Sequence, residues 1–237
     1  MRLDQAIAAR FPAISRRKAR ELIAAGRVLV NQRPVRIASR QVPDDAQIAV
    51  AAEVPPLPVM ASTDDWIAID KPPGMPTQPP RDRSLLSAEE ILRLQHRQIF
   101  LVHRLDAEVS GIVLFARTRG AAARLSELFA TGAMQKEYLA RVAPPLLEPR
   151  AIETPIAGKT AHSEVTPMRG DLVHVRITTG RTHQIRIHLA SIGHPIVGDR
   201  QYGGAAAERL MLHAWKLGHE SLGTLEAPPP IHFALHE

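Results

Sequence analysis

The chain has 237 residues, enough for one sizeable domain or a domain with a small module attached. It contains no cysteine, which excludes a disulfide scaffold, a thiolate zinc site, an iron–sulfur cluster and a cysteine nucleophile. Its net charge is +6, and residues 1–50 carry ten basic against four acidic residues while residues 51–237 carry twenty of each.

All the excess positive charge therefore sits in the first fifth of the chain. A small basic unit ahead of a neutral one suits a nucleic-acid grip, and equally a solvated basic face. No apolar run reaches the length of a membrane span, and MRLDQAIAARF at the start has no signal-peptide core. The expectation is a soluble, cytoplasmic protein with no membrane partner.

In chain order, Leu3 to Arg10 reads as a short helix with Leu3 and Ile7 one turn apart. Ser15 is placed to cap a helix from Arg16 to about Ala25, with Gly26 just beyond it. Ala19, Leu22 and Ile23 form its apolar stripe, which leaves Arg16, Arg17 and Arg20 free to reach phosphates. Val28 to Val30 reads as a strand, Asn31 to Pro34 as a turn, Val35 to Ile37 as the return strand, and Ile48 to Val50 as a third. The apolar core of this unit is thin.

The segment AAEVPPLPV at 51–59 is stiffened by prolines and marks a boundary. Trp66 to Asp70 reads as a strand, followed by a broken loop, KPPGMPTQPP. Strands are expected at Ile99–Val102, Ile112–Ala116, Tyr138–Val142 and Val173–Thr178, with a helix over Ala121–Ala130. Thr182 is placed to cap a helix from His183 to Ser191, in which Ile185, Leu189 and Ile192 share a face and Gly193 ends the run. Helices and strands in irregular order predict an α+β fold with a mainly antiparallel mixed sheet, preceded by a small α/β module.

Three familiar chemistries fail on spacing. Gly158-Lys159-Thr160 resembles the end of a phosphate-binding loop, but Glu153 occupies the first glycine position and Pro155 breaks the run of amides. His103-Arg104-Leu105-Asp106 lacks the downstream asparagine and glycine-rich loop of a kinase. His183 and His188 are five apart, not the four that would align them on one helix face, so no metal site is expected.

Two segments are dense in chemistry-bearing residues. One is His103-Arg104-Leu105-Asp106-Ala107-Glu108-Val109-Ser110-Gly111, between two expected strands. The other runs from Gly180-Arg181-Thr182-His183-Gln184-Ile185-Arg186 through Gly193-His194-Pro195-Ile196-Val197-Gly198-Asp199 to Tyr202-Gly203. Read singly, the first can be a structural ion pair and the second a capped helix with a polar surface.

Together they resemble the RluA family of RNA pseudouridine synthases, which carries HRLD followed by Thr-Ser-Gly, then GRTHQIR and GHPI-GD--YG. Three further segments fit in order: IAIDKPPG at 67–74, Lys136-Glu137-Tyr138-Leu139-Ala140, and HAWKL at 213–217. The resemblance covers residues 62–237. Residues 1–50 resemble the alpha-L RNA-binding motif through Arg2-Leu3-Asp4, Ser15-Arg16-Arg17, Ile23, Gly26, Val28 and Val30-Asn31. The implied organisation is an RNA-binding module at 1–50, a linker at 51–61 and a catalytic domain at 62–237.

The resemblance implies isomerisation of uridine to pseudouridine in RNA, without cofactor or metal. It places the essential carboxylate at Asp106, whether as nucleophile or as base, and makes Arg186 its partner. A neighbouring guanidinium can draw a carboxylate pKa down by about 1–3. It assigns Tyr138 to stacking on the target base and to a role as proton acceptor, and Arg104 to the gap left by a flipped uridine. Arg181 and His183 shape the pocket or touch phosphates, Lys71 contacts RNA, and Arg16, Arg17 and Arg20 grip the backbone. Large-subunit ribosomal RNA is the first candidate substrate and transfer RNA the competitor, with a monomer as the active form. A non-catalytic ribosome-assembly protein and a metal-dependent nuclease are the readings from other classes. Two departures stand out: Val109 replaces the family threonine, and Asp70 the asparagine before Lys71.

Overall fold

The computed structural model describes residues 1–54, 56–82 and 84–233. The chain forms two compact units, one of Met1–Leu57 with Gly74–Ile99 and one of Pro58–Pro73 with Phe100–Glu237. Residues 74–99, which the sequence reading assigns to the larger domain, thus cluster with the N-terminal unit.

In the first unit, helix α1 spans Leu3–Arg10 and α2 spans Arg16–Ala24. Ser15 caps α2 as its sequence position suggests, its side chain accepting from the Lys18 N–H at 3.2 Å. Strand β1 (Val28–Val30) lies between β2 (Arg33–Pro34) and β3 (Ile48–Val50), both antiparallel to it. The return strand comes earlier than its expected place at 35–37. Asn31 and Gln32 both take positive φ, 49° and 64°, so two residues close the turn and Arg33 already pairs with Val30. The thin core is thickened by the later segment, where Leu85 packs on a cluster that includes Leu3, Ile7, Ile23 and Val28. Helix α3 (Ala88–Gln95), absent from the sequence reading, is started by a reciprocal Ser87–Glu90 capping box.

The second unit is built on a large sheet. Its strands are β4 (Val59–Ser62), β5 (Trp66–Lys71), β6 (Phe100–Leu101), β7 (Ser110–Ala116), β8 (Gln135–Arg141), β9 (Arg150–Ile152), β10 (Ser163–Pro167), β11 (Leu172–Ile177), β12 (Leu212–His219) and β13 (Gly223–Glu226). The order is β4-β5-β7-β12-β8-β11-β10-β9, with β6 on β7 and β13 on β12. Pairing is antiparallel except between β7 and β12, so the fold is α+β with a mostly antiparallel sheet. Helix α4 (Arg119–Thr131) is capped by Thr118 and ends at left-handed Gly132. Leu125 of α4 belongs to an apolar cluster with Ile112, Leu114 and Leu217 of the sheet.

Helix α5 spans Gln184–Ser191, and Thr182 is not its cap. The N-cap is His183, held in the left-handed region at φ 55° without a side-chain cap bond. Gln184 compensates from inside the helix. Its Oε1 accepts from the Arg181 N–H at 3.0 Å and the Thr179 hydroxyl at 2.8 Å, while its Nε2 donates to the His162 carbonyl at 2.8 Å. This buried amide fixes the start of α5 to the strand ends beside it.

Candidate active site

The loop between β6 and β7 carries His103-Arg104-Leu105-Asp106. His103 stacks on Phe129 at 4.2 Å between ring centres, and its Nε2 accepts from the Leu114 N–H at 2.9 Å. Burial, helped by the Lys136 charge, pushes the His103 pKa down to about 3, so the imidazole is a neutral post for the loop. On the far side, Lys71 has no exposure, and its ammonium donates to the carbonyls of Pro72 at 3.1 Å and Ala107 at 3.2 Å. The expectation that Lys71 contacts RNA is therefore corrected. A lysine ending a sheet strand is drawn inward to backbone oxygens, where it tethers the residue following Asp106.

The β7–β12 pairing anchors the other end of the loop. Gly111 has φ 110°, and a Cβ there would run into the main chain of Ala214. Only glycine admits this approach. Beside it, the Ser110 hydroxyl lies 2.9 Å from Nδ1 of His213 and accepts from Arg209 at 2.7 Å. Burial holds His213 neutral, with a pKa near 4, despite the favourable contact of Nε2 with the Ala227 carbonyl.

Asp106, Tyr138 and Arg186, with Arg104, Arg181 and His183, line one cavity of about 270 Å³. The Asp106 side chain is 19% exposed, so its carboxylate is screened but reachable. Its Oδ2 lies 3.7 Å from His183 Nε2 and 3.9 Å from Arg186 Nη1. Both are longer than hydrogen bonds, and the contact with Arg186 is at ion-pair separation. Tyr138 projects from β8, between β11 and β12. Burial, and then the Asp106 charge, raise its phenol well above the usual tyrosine range. Lys136 on the same strand is buried and donates to the carbonyls of Thr178 and Thr179, both at 3.3 Å.

The closest partner of Arg186 is not the residue the sequence reading gives it. Its Nε and Nη2 donate to the two oxygens of Asp199 at 2.7 and 2.9 Å, a two-pronged pairing. Burial pushes the Asp199 carboxyl up, but Arg186 and the N–H groups of Tyr202 and Gln201 outweigh it, leaving the carboxyl below its ordinary value. The Tyr202 hydroxyl in turn lies 3.0 Å from His183 Nδ1. Asp199 and Tyr202 stand inside the quoted GHPIVGD and YG segments, so the signal was present in the sequence, but nothing in the spacing reveals that they clasp Arg186.

In the first unit, Asp4 has no exposure and receives Nε of Arg2, Arg16 and Arg20 at 3.0, 3.3 and 2.9 Å. Arg17, 92% exposed, lies 4.0 Å from Glu21. Among the described residues no group of three or more His, Cys, Asp or Glu is placed to hold a metal ion. No helix there is long and apolar enough to cross a membrane.

Comparison with known proteins places these features together. The family model described as RNA pseudouridylate synthase matches residues 65–191, and that of the S4 domain matches residues 1–48. The chain is 31% identical to ribosomal large subunit pseudouridine synthase D of Yersinia pestis over 86% of its own length and 73% of the relative's. It is 32% identical to an uncharacterized RNA pseudouridine synthase of Helicobacter pylori, covering 87% and 90% of the two chains. Human RNA pseudouridylate synthase domain containing 1 superposes with a TM-score of 0.61 at 25% identity, over 75% of this chain and 84% of that one. Polar motif, sheet topology and relatives converge: the chain belongs to the RNA pseudouridine synthase family, an enzyme of the RluA type with an S4 domain at its N-terminus.

Proposed function

We propose that the protein isomerises uridine to pseudouridine in large-subunit ribosomal RNA, with Asp106 as its essential carboxylate. The observation that carries this reading is the cavity itself: one accessible carboxylate faces a cationic nitrogen and an imidazole, beside a half-buried aromatic ring. The relatives named ribosomal large subunit pseudouridine synthase D support this choice of substrate.

In the reaction, the N1–C1′ bond breaks, the uracil turns, and C5 bonds to C1′. C5 loses its proton and N1 gains one, so no redox partner is required. Asp106 either attacks the ribose or removes a ribose proton, and both roles need it ionised. The cavity has to receive a nucleotide taken out of its stack, at a cost of a few kcal/mol. Tyr138 offsets part of it by stacking on the uracil, worth roughly 1–3 kcal/mol. Exposed Arg104 fills the vacated place in the RNA. While Asp106 carries its charge, the Tyr138 phenol stays protonated. To accept the C5 proton the phenol has first to pass on its own, and burial, the larger cause of its raised pKa, opposes that even when the Asp106 charge is neutralised.

The test is carbodiimide primer extension on unmodified ribosomal RNA and a transfer RNA pool, using the wild type and Asp106→Ala. A new stop in ribosomal RNA with the wild type alone is expected. A stop only in transfer RNA would replace the substrate, and a stop made by Asp106→Ala would remove Asp106 from the chemistry. No stop at all from folded, RNA-binding protein would sink the catalytic reading on these RNAs.

A further inference from the structure

Arg186 faces three carboxylates with three nitrogens. Nε and Nη2 are taken by Asp199, leaving Nη1 between Asp106 at 3.9 Å and Glu108 at 3.8 Å. Asp199 is itself immobilised: it is 1% exposed, and its Oδ1 also accepts from the N–H groups of Gln201 and Tyr202, both at 3.1 Å. The Tyr202 ring covers a face of the guanidinium, with Cζ 5.1 Å from the ring centre. The turn at 199–202 thus clasps Arg186 at one edge and one face.

We propose that Asp199 is a positioning residue for the isomerisation: by occupying two nitrogens of Arg186, it confines the guanidinium to a one-nitrogen approach to Asp106. This deepens the reading of Asp106 given above and rests on it. A reacting carboxylate must be ionised and must also have a lone pair to use. A guanidinium several ångströms away meets both needs. A two-pronged pair would meet only the first, because two charge-assisted hydrogen bonds would have to break before Asp106 could react. Without Asp199, the fork is open to the two other carboxylates beside Nη1, Glu108 at 3.8 Å and Asp106 at 3.9 Å, of which Asp106 lines the cavity. Asp106 is faced by His183 at the cap of α5, by Arg186 from α5 and by Tyr138 from β8, while Glu108 on its own loop shares Nη1.

The experiment uses full-length protein and tritium release from a [5-³H]uridine-labelled transcript of large-subunit ribosomal RNA, with kcat and KM measured across pH. Asp199→Asn keeps the shape of the side chain and removes the charge. Its kcat is expected to fall about 10–100-fold with KM little changed, the scale of a misplaced catalytic group. The acid limb of kcat/KM is expected to move to lower pH as the guanidinium closes on Asp106. In an Arg186→Lys background, the same substitution is expected to cost less than about twofold, because the two act as one unit. A folded Asp199→Asn enzyme with wild-type kcat would overturn the proposal. So would a slower enzyme whose acid limb stays in place or rises, which is the mark of a merely structural ion pair. Asp106→Asn is run alongside: if it is active, the reading of the site falls and this inference with it. If Asp106→Asn is dead and Asp199→Asn normal, only the inference falls. Should Asp199→Asn fail to fold, ¹⁵N-arginine spectra of the wild type decide. Resolved Nη signals in slow exchange support the clasp, and a freely rotating Arg186 refutes it.

Discussion

Gly111→Ala tests whether the β7–β12 pairing holds the Asp106 loop. At φ 110°, an alanine carries backbone strain of about 1–3 kcal/mol. Its Cβ would also meet the Ala214 carbonyl, so β12 has to move away from β7. Their parallel register consists of His213 with Ser110 and Ala214 with Gly111, so one displaced residue disturbs the whole ladder. Losing two ladder hydrogen bonds adds about 2 kcal/mol. The total of roughly 3–5 kcal/mol corresponds to a fall in Tm of about 6–20 °C for a unit of this size. Circular-dichroism melting measures it, and tritium release at 20 °C measures the consequence for the site. Turnover is expected to fall even where the variant remains folded, because Ser110 and its contact to His213 shift with the strand. A Tm within about 2 °C of wild type would show that the sheet absorbs the methyl group and refute the reasoning. A large Tm loss with unchanged turnover would sever the pairing from Asp106.

Tyr138→Phe is expected to keep RNA affinity, since the ring remains, and to slow C5 proton loss. A 5-deuterated substrate would then reveal an isotope effect, whereas an unchanged rate and isotope effect would confine Tyr138 to stacking. Asp4→Asn is expected to destabilise the first unit by about 2–3 kcal/mol, at about 1 kcal/mol for each of three arginine contacts after allowing for solvent screening. Urea unfolding measures this, and a loss below about 0.5 kcal/mol would refute it. Hydrogen bonding to Arg2 leads in holding the Asp4 carboxyl below its usual range. Its contribution is therefore complete above the ordinary aspartate pKa and is lost as pH falls below it. His103 and His213 are neutral in the fold, with values near 3 and 4 against 6.5 for the unfolded chain. The unfolded chain binds the extra protons, so stability should decline from pH 6.5 down to pH 4. A Tm flat across that window would contradict their burial as neutral rings.

Much of the site was legible because all its residues but Tyr138 lie in two short runs of sequence, and Tyr138 lies in a third quoted segment. Asp106, Tyr138, Arg186, Arg104, Arg181 and His183 come to one cavity. Lys71 misled because a lysine opening a proline-rich loop looks exposed, and only the strand register carries it inward. Asp199 was quoted without a role because its partner lies a helix and a turn away, and pairing across such a distance leaves no periodic trace. Strands β9, β10, β12 and β13 were missed for related reasons. β9 has three residues, β10 alternates a buried serine and valine with polar residues, and β12 is buried by neighbours distant in the sequence. The left-handed turn at Asn31 and Gln32 likewise moved a strand that local propensity placed two residues later.

The chain completes its first unit only after making an excursion through the second. Residues 58–73 leave to form β4 and β5, and residues 74–99 return with α3 and its buried Ile91 and Leu92. The first unit is therefore interleaved with the second along the chain and is not a detachable tag. During synthesis it cannot finish its own core until residue 99 has emerged, by which time a hairpin of the catalytic sheet has already been made. Excising residues 1–50 would strip Leu85 of its packing partners and leave a sticky remnant. Exchanging this portion between relatives would require two coordinated cuts instead of one.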